Sequence, residues 1–296
     1  MRIGIDLGGT KTEGILMNAD GDILQRFRRP TPASEGYDAI LGNIATLVKE
    51  LETGAKRTCQ VGVATPGALS PHSGLLRNSN TVCLNQKPVK QDLETLLARP
   101  IRIANDANCF ALSEAIDGAG KDYPVVFGVI MGTGVGGGIV FNRVLHEGRQ
   151  RIAGEWGHNV LDHNGADCYC GRRGCVETLL SGPGLVTAYR RAGGSKAVTA
   201  QEVITSANTG DAIAREVVGT YIEWFGKAMA VVVNILDPDA VVLGGGMSNF
   251  DLLYSEGRKA LARHVFNDTL DTHLLRNAHG DSGGVRGAAW LWPADE

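Results

Sequence analysis

Two segments with the order strand, glycine turn, strand constrain the fold of this chain more than any other feature. The first, Arg2–Thr12, reads RIGIDLGGTKT, and the second, Phe127–Gly138, reads FGVIMGTGVGGG. Glycine lets backbone N–H groups approach phosphate oxygens without an intervening side chain, so the two turns predict two loops that hold a polyphosphate. The alternative is a pair of tight hairpins whose glycines only satisfy turn geometry.

The residues around the turns suggest how phosphate would be held. Neither segment contains G-x-x-x-x-G-K-[ST] or a G-x-G-x-x-G that opens a helix, so a P-loop and a Rossmann site are disfavoured. Asp6 stands at a predicted strand end, where a carboxylate can bind Mg²⁺ or its waters. Thr10, Lys11 and Thr133 can donate hydrogen bonds to phosphate oxygens.

Composition excludes several classes of protein. The 296 residues are 43% hydrophobic and 21% charged, as in a globular protein with room for two domains. The net charge is 29 − 32 = −3 without a basic run, so we expect no nucleic-acid partner. We also expect no secretion leader and no membrane span, since the apolar stretch Ala228–Leu236 is too short. These features together predict a cytoplasmic protein.

The order of predicted elements indicates a duplicated α/β unit, because strand, glycine turn and strand recur in each half. We predict an N-terminal α/β domain over 1–115 and a C-terminal one over 116–283, with a last segment, 284–296, that packs back on the first. Predicted strands are Ile3–Asp6, Glu13–Met17, Ile23–Arg28, Gln60–Ala64, Ile101–Ala104, Val125–Ile130, Gly138–Phe141 and Ala240–Leu243. Predicted helices are Tyr37–Leu51, Ala107–Ala115, Asp211–Leu236, Leu252–His264 and Gly284–Trp292.

A cysteine-bearing loop predicts a structural metal site. Cys168, Cys170 and Cys175 lie within eight residues, and His158 precedes them by ten positions. Three thiolates and one imidazole complete a tetrahedral zinc shell with no open position. A disulfide within the loop is the alternative, and His163 is a second candidate imidazole. The other cysteines, Cys59, Cys83 and Cys109, are expected to be reduced thiols.

Asn105-Asp106 stands where a predicted strand ends and a helix begins, the position at which α/β folds present catalytic side chains. A carboxylate there can accept the proton of an attacking hydroxyl, as phosphoryl transfer to an alcohol requires. Its structural alternative is a helix N-cap. Glu155 and Glu177 flank the metal ligands and could bind a polyhydroxylated ligand, or could be solvated surface acids.

With these motifs assembled, the chain resembles the ROK family of bacterial sugar kinases over essentially all of its length. The resemblance rests on the segments Asp6–Lys11, Asn105–Asn108, Gly132–Gly138, Gly154–His158, Cys168–Cys175 and Leu243–Gly246. It implies the actin-like ATPase (ribonuclease H-like) fold, with two α/β domains flanking a cleft and a zinc-binding loop. It also implies ATP, Mg²⁺ and structural Zn²⁺ as cofactors and a homodimer as the assembly.

The resemblance assigns roles position by position. Asp106 would be the general base for the C6 hydroxyl of a hexose. His158 would bind zinc through one ring nitrogen and a sugar hydroxyl through the other, so loss of zinc would damage both folding and sugar affinity. The residues assigned to the sugar are Pro66, Gly67, Asn80, Asn105, Asp106, Glu155, His158 and Glu177. Those assigned to ATP are Gly4, Ile5, Asp6, Leu7, Gly8, Gly9, Thr10, Lys11, Gly132, Thr133, Gly134, Val135, Gly136, Gly137, Gly138, Ile139, Gly244 and Gly245.

Within the family, two segments most resemble fructokinases that also accept mannose: Glu155–Asn159 and the C-terminal His279–Pro293. We therefore predict fructose as the first substrate and mannose as the second. N-acetylglucosamine kinases are the nearest alternative and share Asn105–Phe110, although we expect Phe-Gly-His-Met in them where this chain has Trp156–Asn159. Glucokinase is the third alternative.

Two rivals belong to other classes. A sugar-responsive ROK regulator shares the zinc loop, but its helix-turn-helix domain precedes the first glycine turn, and Asp6 stands only five residues after Met1. We therefore expect no DNA-binding domain. An actin-like filament protein is the second rival, and the zinc loop and the paired acids favour a kinase over it.

Overall fold

The computed structural model describes residues 1–194 and 199–293, so the outer end of the predicted segment 284–296 lies outside the described residues. The strands are β1 (Arg2–Leu7), β2 (Lys11–Met17), β3 (Ile23–Pro30), β4 (Gln60–Thr65), β5 (Ala68–Leu69), β6 (Leu76–Arg77), β7 (Ile101–Asn105), β8 (Val125–Met131), β9 (Val135–Phe141), β10 (Val144–Leu145), β11 (Ala240–Gly244) and β12 (His273–Arg276). The helices are α1 (Tyr37–Ala55), α2 (Val89–Leu97), α3 (Asp106–Ile116), α4 (Val176–Leu180), α5 (Gly182–Arg191), α6 (Ala200–Thr209), α7 (Ala212–Leu236), α8 (Arg258–His264) and α9 (Gly283–Trp290).

The chain divides into two compact units, and each contains more than one stretch of sequence. The first unit contains Met1–Lys121, Gly138–Ala153 and, as far as it is described, Asp281–Glu296. The second contains Asp122–Gly137 and Gly154–Gly280. The predicted bounds of the second domain, 116–283, therefore differ most at Gly138–Ala153, which groups with the first unit, as do the short ends 116–121 and 281–283. β9 crosses this boundary between Gly137 and Gly138.

The first unit is built on a five-stranded sheet of order β3-β2-β1-β4-β7. β1 pairs antiparallel with β2 and parallel with β4, and β4 is parallel to β7. Alternate side chains of a strand point to opposite faces. On one face, Ile3 and Ile5 of β1 and Val61 of β4 are fully buried in a core that also contains apolar residues of α1 and α2. The predicted hydrophobic strands thus form the centre of this sheet.

The opposite face of this sheet packs against α9 at very short range. A Cβ at Gly62 of β4 would lie 1.8 Å from the carbonyl oxygen of Ala288, and one at Gly287 would lie 1.7 Å from that of Cys109 on α3. Only glycine permits such close backbone approach. The helix begins at Gly283 and ends at Trp290, close to the predicted Gly284–Trp292, and it belongs to the first unit.

The second unit contains a sheet of order β9-β8-β11-β12, and β9 continues into the first unit, where its end pairs with β10. β11 is parallel to both β8 and β12, and all five of its residues are buried. A central parallel strand is buried on both faces, which accounts for its unbroken apolar sequence. The predicted helix Leu252–His264 is a π-helical turn, Leu253–Gly257, followed by α8. Among the described residues, no helix combines the length and the apolar character needed to span a membrane.

Candidate active site

A pair of carboxylates occupies one edge of the first unit, where β1 and β7 end. Asp6 is near the end of β1, and Asp106 is the first residue of α3, directly after β7. Burial raises the pKa of Asp6 to about 7, and the charge of Asp106 adds to that rise, whereas Lys11 opposes it. The opening glycine segment and Asn105-Asp106 therefore lie close together. A buried carboxylate whose pKa is raised by a neighbouring carboxylate is suited to binding a divalent cation.

The backbone around Asp106 fixes its side chain. Asn105 is the N-cap of α3, since its side-chain oxygen accepts a hydrogen bond from the N–H of Ala107 at 2.9 Å. Asp106 Oδ1 accepts from the same N–H at 2.8 Å. Asp106 remains open to water at the surface, yet burial by the surrounding protein raises its pKa, and the backbone hydrogen bonds oppose that rise. Asn105 is thus the cap of α3, and Asp106 shares the Ala107 N–H through Oδ1 while its carboxylate remains exposed.

The other predicted sugar residues of the first unit lie beside Asn105. The side-chain amide of Asn105 donates to the carbonyl of Gly67 at 3.3 Å. Gly67 has a φ of +83°, and a Cβ there would lie 2.8 Å from the N of Ser79. Asn80 follows Ser79 and is exposed, and Pro66 precedes Gly67. Among the predicted sugar residues of this unit, Gly67 thus contacts Asn105 and Asn80 is exposed, whereas Pro66 is buried.

The first glycine turn presents only part of the predicted ATP segment. Ile5 and Leu7 have side chains buried in the core, whereas Thr10 and Lys11 are exposed. The turn is closed by a hydrogen bond from the N–H of Gly8 to the carbonyl of Lys11 at 3.0 Å. The residues from Gly8 to Lys11 are therefore the part of this segment that is open to phosphate.

The second glycine turn, which contains the exposed Thr133, connects β8 to β9 in the second unit and is fixed by Glu177. Glu177 Oε2 accepts from the N–H of Val135 at 2.9 Å, and a Cβ at Gly134 would lie 2.6 Å from the same oxygen. Gly245 lies nearby, because a Cβ there would lie 2.4 Å from the carbonyl of Met131. The predicted phosphate and adenosine loops of this unit are thus neighbours.

Trp156 anchors the segment that carries Glu155 and His158. Its ring is only 5% exposed, its Nε1 donates to the carbonyl of Gly136 at 3.0 Å, and it packs edge-on against Phe127 with ring centres 5.9 Å apart. The fixed indole holds Glu155 and His158 at the start and end of one 3₁₀ turn. Glu155 itself is exposed.

The predicted metal ligands converge in the second unit. The ligand atoms of His158, Cys168, Cys170 and Cys175 all lie within 4.8 Å of one another. Cys170 Sγ is 3.6 Å from Cys175 Sγ, and Cys168 Sγ is 3.6 Å from His158 Nδ1. His163 is exposed and is not part of this group.

These distances fit zinc better than a disulfide. With bonds of about 2.3 Å to sulfur and about 2.0 Å to nitrogen, tetrahedral ligands lie about 3.5–3.8 Å apart, whereas disulfide sulfurs are only about 2.05 Å apart. All six cysteines are free thiols. A hydrogen bond from Arg172 lowers the pKa of Cys170 to about 6, so this thiol readily becomes the thiolate that a metal requires. The loop therefore fits a closed, structural zinc site.

Two residues that contact the predicted site residues were not predicted from the sequence. Tyr169 places its hydroxyl 2.9 Å from His158 Nε2, whereas His158 Nδ1 is the ring nitrogen that faces Cys168 Sγ. Gly284 lies beside Asp6, because a Cβ at this position would be 2.9 Å from Asp6 Oδ2. The position of Tyr169 between two cysteines was a signal for the first. No local pattern signals the second, since it is 278 residues from Asp6.

Comparison with known proteins places these features in one family. The ROK family model matches residues 2–295. The N-acetyl-D-glucosamine kinase of Pasteurella multocida (strain Pm70) is 40% identical over 303 residues, with 99% of each chain covered. The structure of the ROK hexokinase from Thermus thermophilus is 30% identical with a TM-score of 0.89, covering 98% of this chain and 96% of that one. That of a ROK glucokinase from Streptomyces griseus in complex with glucose and AMPPNP is 27% identical with a TM-score of 0.81, covering 98% of both chains.

The fold and the two groups of polar residues thus define a two-unit α/β protein with the actin-like ATPase fold. This chain belongs to the ROK family. The family and the fold class predicted from the sequence are both confirmed.

Proposed function

We propose that this chain, an ATP-dependent hexose kinase, transfers the γ-phosphoryl group of ATP to the C6 hydroxyl of N-acetyl-D-glucosamine. The observation that carries the choice of sugar is the shared name of its relatives. Proteins 37–40% identical to it over 98% or more of its length, from Pasteurella, Vibrio and Escherichia, are N-acetyl-D-glucosamine kinases. The prediction of a hexose kinase is confirmed, and these relatives favour the alternative sugar over fructose.

The physical basis of the fructose prediction is also weaker than the sequence suggested. That prediction relied in part on Trp156, where an N-acetylglucosamine kinase was expected to have Phe. Trp156 is buried and its only polar group is satisfied by Gly136, so the residue supports the segment from within. A Trp-to-Phe difference here changes packing and does not directly select a sugar. The C-terminal resemblance, which includes Trp290 and Trp292, leaves fructose as the second candidate.

In the proposed reaction, Asp106 accepts the proton of the sugar hydroxyl as the oxygen attacks the phosphorus. Its raised pKa makes it a stronger base than an ordinary aspartate. Asp6 would bind Mg²⁺, which neutralises charge on the phosphates when it is bound. The turn from Gly8 to Lys11 and the turn around Thr133 would donate N–H groups to the phosphates, and Gly244 and Gly245 would approach the adenosine.

We assign the sugar-binding roles for each unit separately. In the first unit we assign hydrogen bonds with the sugar hydroxyls to Asn105 and Asn80, together with the backbone of Pro66 and Gly67. In the second unit we assign Glu155, His158 and Glu177 to the same role. Zinc on His158, Cys168, Cys170 and Cys175 would order their loop when it is bound. A homodimer in the cytoplasm remains our expectation for the assembly and its location.

The test is ADP release in a coupled assay with N-acetylglucosamine, fructose, mannose and glucose. We expect kcat/KM for N-acetylglucosamine to exceed each of the others by at least about tenfold, a difference of about 1.4 kcal/mol in transition-state binding. The highest value for fructose would restore the second candidate. No sugar-dependent ADP release, combined with a specific shift of DNA fragments, would favour the regulator instead.

A further inference from the structure

A cavity of about 570 Å³ lies in the first unit, and none of the residues assigned above to ATP, sugar or metal lines it. Every lining residue belongs to this unit, so the cavity is a property of one compact body. It opens where β7, α3 and β10 meet the C-terminal segment Trp290–Pro293. Its volume is that of a site for a small organic molecule.

The charge of the lining distinguishes this cavity from the rest of the molecule. Among the described residues that line it, four side chains are cationic and one, Glu147, is a carboxylate, whereas the whole chain has a net charge of −3. This concentration of positive charge favours an anionic ligand. The cations are Lys90, Arg102, Arg143 and Arg151.

Two of these cations have clearly different roles. Arg102 is fixed in place, since its guanidinium lies 4.4 Å from the ring centre of Trp292 and donates to the carbonyl of Leu291 at 2.6 Å. Arg151 is half-buried, and its guanidinium makes no hydrogen bond or ion pair with any residue in 1–194 or 199–293. A guanidinium at a cavity wall without a protein partner retains all five of its donors for a ligand.

The remaining cations are only partly engaged. Within the part of the chain that the structure describes, the Arg143 guanidinium donates one hydrogen bond, to the carbonyl of Lys121 at 3.2 Å, and Lys90 Nζ lies 3.7 Å from Glu94 Oε1 in a loose ion pair. Guanidinium groups bind phosphate through two parallel hydrogen bonds, so Arg143 and Arg151 are each suited to a phosphate in this cavity. Lys90 would add a point charge.

The rest of the cavity lining is largely apolar, which favours a ligand that has an apolar part besides its anionic group. Leu112 and Ile116 of α3, Leu145 of β10 and Leu291 contribute aliphatic surface beside the cations. An inorganic ion would leave this surface exposed to water. We propose that the cavity binds an organic phosphate, with the phosphate against the arginines and a largely apolar body against the aliphatic wall.

The proposal is tested with probes that carry the phosphate and the apolar group together or one of them alone. Isothermal titration calorimetry of the full chain without sugar would compare phenyl phosphate, inorganic phosphate and phenol. We expect phenyl phosphate to bind at least about tenfold more tightly than either single-feature probe. Saturating AMPPNP with N-acetylglucosamine should leave this binding unchanged, since the cavity contains none of the proposed active-site residues. The binding is measured without turnover, so it does not depend on the proposed reaction.

Substitutions of the cavity arginines would test whether phenyl phosphate binds in this cavity. Arg151→Gln should weaken phenyl phosphate at least about fivefold, and the Arg143→Gln, Arg151→Gln double variant further. Arg149→Gln is the matched control, because Arg149 is exposed on the same loop but does not line the cavity. Thermal unfolding of each variant would check the fold. If the double variant does not fold, the affinity of Arg151→Gln alone tests the proposal. Displacement of the probe by AMPPNP, equal binding of phenol, or an unchanged affinity in Arg151→Gln would each overturn the proposal.

Discussion

The polar residues of the two units are held in place by different means. In the first unit, Asp6 lies near the end of β1 and Asp106 directly after β7, and Ile5 of β1 and Val63 of β4, the strand between these two, are fully buried. In the second unit, His158 belongs to a loop in which Tyr169 is 80% exposed. A hydrophobic core fixes one set of residues, and thiol and imidazole ligands fix the other.

This difference predicts how each set of residues should respond to substitution. Core packing is distributed over many contacts, so a polar substitution at Asp106 should change chemistry with little effect on the fold. A metal-ordered loop has few apolar contacts to replace its ligands, so one lost thiolate should displace the whole loop. The displacement should extend to α4, because Cys175 is the N-cap residue of this helix, which carries Glu177.

The largest expected effect is that of Asp106→Asn on turnover. The amide cannot accept the proton of the sugar hydroxyl, so kcat should fall by about 10³-fold or more. The dissociation constant of N-acetylglucosamine, measured by calorimetry, should change by less than about threefold, since the amide retains its size and polarity. Asp38→Asn is the matched control, because Asp38 also stands in the first turn of a helix and is exposed. Turnover within tenfold of the parent would remove Asp106 from the role of base.

Cys170→Ser should have the next largest effect, and it should act on the second unit alone. Zinc content should fall, and sugar affinity should weaken at least about tenfold because His158 loses its fixed orientation. Hydrogen exchange should quicken over the loop and α4, while β1 and β4 remain protected. Cys83→Ser, a free thiol of the first unit, should change neither quantity. Faster exchange in β1 would show that the zinc loop and the first sheet do not fail separately.

The same comparison explains which parts of the molecule were predictable from sequence. Asp106 and the zinc ligands were found because strand-to-helix junctions and cysteine spacing are local patterns. The return of Gly138–Ala153 to the first unit was missed, and so was Gly284 beside Asp6. Both depend on contacts between residues far apart in the chain, and no local periodicity records these. The cap of α3 lies between the two cases, because Asn105 and Asp106 are both good capping residues and only geometry distinguishes them.

A smaller effect concerns the pH dependence of stability in the first unit without Mg²⁺. The pKa of Asp6 is about 7 in the folded chain against 3.8 as its ordinary value, so the folded state holds this proton more tightly than the unfolded state. Its contribution to stability is therefore complete below about pH 4 and is lost as the pH rises toward 7, by at most about 4 kcal/mol.

Asp6→Asn should abolish that loss. In chelator, the melting temperature of the parent relative to the variant should decline between about pH 4 and pH 7 and then level off. Added Mg²⁺ at pH 7.5 should raise the melting temperature of the parent more than that of the variant. Asp20→Asn, at an exposed turn position, should reproduce the profile of the parent. Parallel profiles of parent and Asp6→Asn would contradict the raised pKa.

The smallest expected effect concerns competition between the Tyr169 hydroxyl and a sugar hydroxyl for His158 Nε2. Its Nε2 lies 2.9 Å from the hydroxyl of Tyr169, so a sugar that bonds to this nitrogen must displace or share that hydroxyl. Tyr169→Phe removes the competitor and keeps the edge-on ring contact, whose centres are 5.1 Å apart. An exposed hydrogen bond contributes about 0.5–1 kcal/mol, so the variant should bind N-acetylglucosamine about two- to fivefold more tightly by calorimetry, with zinc content unchanged. A tenfold loss of affinity would instead identify the Tyr169 hydroxyl as a sugar ligand, because removal of a mere competitor cannot weaken binding.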